Sequence, residues 1–160
     1  MRPKRASTIL AVALVALLPH VAGSPAAAQT AHQQKRKNVK VYLYHDPGEH
    51  IDLSPVTRSV NAAAPARPAI EALLKGPTRA ERRRGFVELA SASEFRIASL
   101  TISNGTARVN FIPRKSWLGW PGDLAPIRFR TAVELTLKQF PNVKTVIVSL
   151  NGDPKFADEH

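Results

Sequence analysis

The sequence predicts an α+β domain, with a mixed β-sheet of about five strands and two main helices packed on it. Three observations carry that reading. Apolar residues at strand spacing open the domain in "NVKVYLYH", two further strand-like runs meet at Asn104-Gly105, and an amphipathic helix over 125–140 leads into the apolar run "VKTVIVSL". A tight hairpin is antiparallel, whereas a helix crossover can set its strand parallel to another, so the sheet holds both directions.

The 160 residues allow one domain with short extensions. At the front, "MRPKR" is charged, "STILAVALVALL" is apolar and Ala26-Ala27-Ala28 are small, the order of a secretory signal peptide over residues 1–28. The apolar run is shorter than the roughly 20 residues of a membrane-spanning helix. Pro19 and Gly23 also interrupt it, so no transmembrane span is expected after cleavage. Residues 29–38, polar and without hydrophobic period, read as a flexible tether. The domain then runs over 39–153, and the charged residues 154–160 read as a disordered tail.

With no cysteine in the chain, the core rests on apolar packing and no lipid can be attached through a thiol. Formal charge is +11; Arg2, Lys4 and Arg5 leave with the leader, so +8 remains. That balance favours anionic surroundings such as cell-wall polymers, lipid headgroups or an acidic partner. Nucleic acid is not expected for an exported chain without a binding module.

Within the domain, Val39, Val41 and Leu43 alternate with polar or amphipathic residues, giving a strand with one buried face. Asp46-Pro47-Gly48 is turn chemistry. Leu53, Val56 and Val60 belong to a second strand, and Pro55, which cannot donate to a ladder, fits a sheet edge. Pro68 suits a first helical turn, Ile70, Leu73 and Leu74 supply the apolar stripe, and Gly76-Pro77 ends it. Thr78 followed by Glu81 has the spacing of a capping box, opening a short helix that gathers Arg79, Arg82, Arg83 and Arg84.

Asn104-Gly105 is the strongest hairpin signal in the chain. A loop then presents Arg114, Lys115, Trp117 and Trp120, whose indoles either contact sugar rings or a protein, or fold back over the core. In the second main helix Phe129, Val133, Thr136, Leu137 and Phe140 share one side. The strand after it is apolar on both faces, which places it inside the sheet. Asn151-Gly152 closes that strand.

His45, Asp46, Glu49, His50 and Asp52 cluster in one short stretch. Proline and glycine place the histidines on either side of a strand reversal, not on one helical turn as zinc-binding helices require. No metal or cofactor site is therefore assigned, and an enzyme is not expected. The alternative is an envelope hydrolase or metal-dependent enzyme built on the His45–His50 hairpin with Asp46 and Glu49. The favoured function is docking, with Arg79, Arg82, Arg83, Arg84, Arg114, Lys115, Trp117 and Trp120 as candidate contacts to a protein or polyanion.

Several separated segments together resemble a GerMN domain: "VKVYLYHD", "LSPVTRSV", "AIEALLKGPTRAERRRGF", "SLTISNGTARVNF" and "RTAVELTLKQFPNVKTVIVSLNG". The resemblance covers roughly Val39 to Gly152. It covers one copy, and implies an extracytoplasmic module on a bacterial cell envelope, with a fold similar to ring-building motifs of secretion assemblies. It brings no catalytic residues.

Overall fold

A computed structural model describes residues 35–46, 48, 51–89 and 92–158. The expected leader, tether residues 29–34, Pro47, Glu49, His50 and the last two residues lie outside these. Strands β1 (Arg36–His45) and β2 (Asp52–Asn61) form an antiparallel hairpin in unbroken register, from Arg36 opposite Asn61 to His45 opposite Asp52. Helix α1 (Ala66–Leu74) is followed by the single turn α2 (Arg79–Arg82) and by β3 (Phe86–Val87), which pairs with Tyr44 and His45. A 3-10 turn (Ala92–Glu94) leads into β4 (Phe95–Ser103) and β5 (Thr106–Pro113). Helix α3 (Leu124–Lys138) then returns the chain to β6 (Thr145–Leu150), parallel to β5.

The class is α+β, as expected, but the strands divide into two three-stranded sheets, β2-β1-β3 and β4-β5-β6. Only the second is mixed. The C-terminal end of α3 and its cap accompany this division. The Gln139 side chain accepts from the Lys40 amide at 2.7 Å and donates to the Lys40 carbonyl at 2.6 Å, while Thr136 Oγ1 accepts from the Tyr42 amide at 3.2 Å. These side chains satisfy the β1 edge that a fourth strand would otherwise pair with, and so keep it from further pairing. Pro55 does lie on an edge strand, β2. The last strand does not lie inside its sheet: β6 is an edge, and its two apolar faces are only partly covered.

Both Asn-Gly pairs adopt positive φ at each residue: Asn104 and Gly105 at 49° and 76°, Asn151 and Gly152 at 53° and 85°. The first closes the β4–β5 hairpin with Ser103 opposite Thr106. The second is a hairpin turn as well, with Leu150 and Asp153 exchanging backbone hydrogen bonds of 2.9 and 3.0 Å. It folds residues 154–158 back onto the domain. Contrary to the expected disordered tail, Ala157 is buried, Phe156 stacks on Trp120, and Asp158 pairs with Arg130 at 2.6 Å. At the other end β1 starts at Arg36, three residues inside the expected tether, because Arg36 and Lys37 pair with Asn61 and Val60.

A single core lies where the helices meet both sheets. Helix α1 packs on β1, β2 and β4, and α3 on β1 and β6. Ala66, Ala69, Ile70 and Leu73 are the buried face of α1; Phe129, Val133, Thr136 and Leu137 are that of α3. Among the described residues no helix is long and apolar enough to cross a membrane.

Candidate functional site

Thr78 and Glu81 build the arginine-bearing turn. The Thr78 hydroxyl accepts from the Glu81 amide and the Glu81 carboxylate accepts from the Thr78 amide, completing the capping box. Glu81 is also only 6% exposed, and both of its oxygens receive Arg58 guanidinium nitrogens at 2.7 Å. The Arg58 hydrogen bonds, more than any other contact, hold its carboxyl at a pKa of about 2, against the burial that would raise it. This bidentate pair fastens α2 to β2. Arg79, Arg82, Arg83 and Arg84 all remain exposed on the turn so fixed.

The stretch that carries the histidines supports the same turn. His45 Nε2 donates to the Arg84 carbonyl at 2.8 Å, the Asp46 amide donates to the Gly85 carbonyl at 2.8 Å, and the His45 ring lies 4.8 Å from that of Phe86. Glu49 and His50 lie outside the described residues, and among those described no group of three or more His, Asp or Glu side chains has metal-binding geometry. Gly85 makes the close approach possible. Its φ is +89°, and a Cβ there would stand 2.9 Å from the Asp46 carbonyl oxygen. Gly85→Ala is therefore expected to lower unfolding free energy by about 2 kcal/mol or more. Urea denaturation measures this, and an unchanged midpoint would contradict the contact.

Trp117 and Trp120 fold back over the core. Phe95 lies 5.5 Å and 5.2 Å from their rings, they lie 5.8 Å from each other, and Trp120 reaches Phe129 at 5.7 Å. Both are half-buried, whereas Leu118 between them is fully exposed. Arg114 and Lys115 are exposed. The expected contacts thus form two groups, the α2 arginines and the loop of Arg114 to Trp120, and no hydrogen bond or aromatic contact among the described residues joins them.

Two grooves were not singled out in the sequence. One, of about 360 Å³, has Tyr44, Ile51, Val87, Leu124 and Arg128 among its lining. The Arg128 guanidinium sits 5.5 Å over the Tyr44 ring; burial raises the Tyr44 hydroxyl pKa, with Arg128 opposing the rise. The other, of about 410 Å³, gathers Arg67, Lys75, Arg96 and Arg114 from three separate segments. A signal for it was available: Arg67, Glu71 and Lys75 recur every four residues along the outer face of α1.

Taken together, this is the architecture of a GerMN-type domain. The chain matches the structure of the tandem GerMN domains of the sporulation protein GerM from Bacillus subtilis with a TM-score of 0.58 and 20% identity, over 80% of this chain and 43% of that one. It therefore spans less than half of that tandem structure. It matches the first GerMN domain of the same protein with a TM-score of 0.54 and 20% identity, over 73% of this chain and 84% of that one. At this identity the likeness is one of fold. The family model Germane, described as sporulation and spore germination, matches residues 40–156, and the chain belongs to that family. No curated protein matches it significantly.

Proposed function

We propose that the domain is a non-catalytic interaction module of the bacterial cell envelope, exported by its leader, that docks onto an anionic wall polymer. The observation behind this reading is the anchored turn: four exposed arginines on one short segment, held by the buried Glu81–Arg58 pair. A rigid cationic surface loses little side-chain and backbone freedom on meeting a polyanion, and it attracts one from a distance. Docking to an envelope protein is the second reading, favoured by exposed Leu118 and by Ile51, Val87 and Leu124 around the apolar groove.

Capture of the full chain by purified wall material at low and high salt separates the two. Retention should fall steeply as salt screens the arginines, and Arg82→Ala with Arg83→Ala should weaken it by about tenfold. Salt-insensitive capture of one envelope protein, unchanged in that variant, would decide for the second reading.

A further inference from the structure

We propose that the groove between α1 and the β4–β5 hairpin is the seat of one phosphate unit of an extended polyanion, with the α2 arginines acting as its approach surface. The proposal rests on the polymer reading above and locates its binding site. Arg67 and Lys75 stand on the α1 wall. On the opposite wall Arg96 pairs across the hairpin with Ile112, two residues before Arg114, so the two arginines are diagonal neighbours on one face.

Two of these guanidinia, Arg67 and Arg114, although exposed, hydrogen-bond to their own chain. Arg67 donates from Nε to Glu71 at 3.2 Å and from Nη2 to the Ile97 carbonyl at 3.3 Å; Arg114 donates from Nε to the Ser93 carbonyl at 3.2 Å. Both terminal nitrogens of Arg114 have no protein partner among the described residues. A guanidinium that already hydrogen-bonds through Nε presents its remaining N–H groups with a smaller loss of rotamer freedom. Four cations share the groove with one carboxylate, Glu71, which Arg67 already engages.

The arrangement favours phosphate over carboxylate. A carboxylate takes its donors close to one plane on two oxygens, whereas a tetrahedral oxyanion offers three or more oxygens out of plane and so suits cations on opposing walls. It also favours a chain over a single ion. Lys75 and Glu71 also line an adjoining groove, together with Arg36, so cations continue beyond the first seat.

The test is real-time binding of the full chain to linear inorganic polyphosphate, with orthophosphate and poly-glutamate as controls. Arg96→Ala with Arg114→Ala should speed dissociation by about tenfold or more, the equivalent of one lost charge-assisted hydrogen bond. Arg82→Ala with Arg83→Ala should mainly slow association, as expected of charges at the rim. Arg96→Lys with Arg114→Lys should recover only part of the loss, and thermal unfolding should confirm that each variant folds. Unchanged dissociation in the groove variant, with binding lost in the turn variant, would overturn the groove while leaving the polymer reading intact. Absence of polyphosphate binding by the parent chain would overturn the phosphate seat, and salt-insensitive retention on wall material would overturn the polymer reading as well. Equal affinity for poly-glutamate would remove the preference for phosphate, and orthophosphate binding as tightly as polyphosphate would remove the extended ligand.

Discussion

Glu81→Ala is expected to cost about 3–5 kcal/mol of folding free energy, because it leaves the Arg58 guanidinium largely buried without its partner. The loss of half a capping box adds to it. The Arg58 side chain is 18% exposed and that of Glu81 8%, so water screens the pair little. Glu81→Gln keeps the shape and a hydrogen-bond acceptor but removes the charge, and should cost less. The same pair sets an acid limit. The folded-state pKa of Glu81 is about 2, below the ordinary 4.5, so the carboxylate stabilises the fold fully above about pH 4.5. That contribution, about 3 kcal/mol, is lost as pH falls from 4.5 through 2. Denaturant midpoints across this range should decline more steeply for the parent chain than for Glu81→Gln. Parallel acid profiles would mean that the carboxylate does not stabilise the fold through its charge.

This pair shows where sequence reading stopped. The box itself was legible, because Thr78 and Glu81 lie within one turn and their roles depend only on spacing. Arg58 was not, because its partner is 23 residues away and a strand pairing decides which residues meet. The same division runs through the fold. Val39, Val41 and Leu43, the Asn104-Gly105 turn and the α3 stripe are local periodicities, and each appears as expected. The separation into two sheets is accompanied by Gln139 reaching Lys40, a contact across 99 residues that no period announces.

Other long-range features do leave a local signal in the sequence. In β4 the half-buried and buried positions move from Phe95 and Ile97 to Leu100 and Ile102, an odd-to-even change of phase. The ladder register shifts between Ile97 and Ser99 for the same reason: one extra residue turns the following side chains to the other face. Asn151-Gly152 likewise has the chemistry of Asn104-Gly105, and the hairpin meaning holds for both. The basic groove was harder to see. Its cations come from α1, β4 and the loop after β5, and long-range pairing, such as Arg96 opposite Ile112 and the Arg114 amide donating to Glu94, brings the last two together.

Phe129→Ala is expected to be the most damaging single truncation in α3, at about 3–5 kcal/mol, with a fall in Tm of roughly 10–20 °C. Phe129 is fully buried and lies 5.0 Å from both Phe95 and Phe111 and 5.7 Å from Trp120. Its loss opens a cavity lined by rigid rings, which cannot collapse around a methyl group. Trp120→Ala should follow at about 2–3 kcal/mol, since one indole face packs on Phe95 and Phe129 while its outer part is wet. Removing both should cost less than the sum, because each already exposes the other's contact. The same variants bear on the role of the tryptophan loop. If Trp120 closes the core, its truncation lowers thermal stability and leaves polyphosphate binding unchanged below the unfolding transition. If its exposed part is instead a contact for the partner, binding falls while Tm holds. The six-ring packing of Phe95, Phe111, Trp117, Trp120, Phe129 and Phe156 favours the first outcome, because the indole of Trp120 is already seated against four other rings.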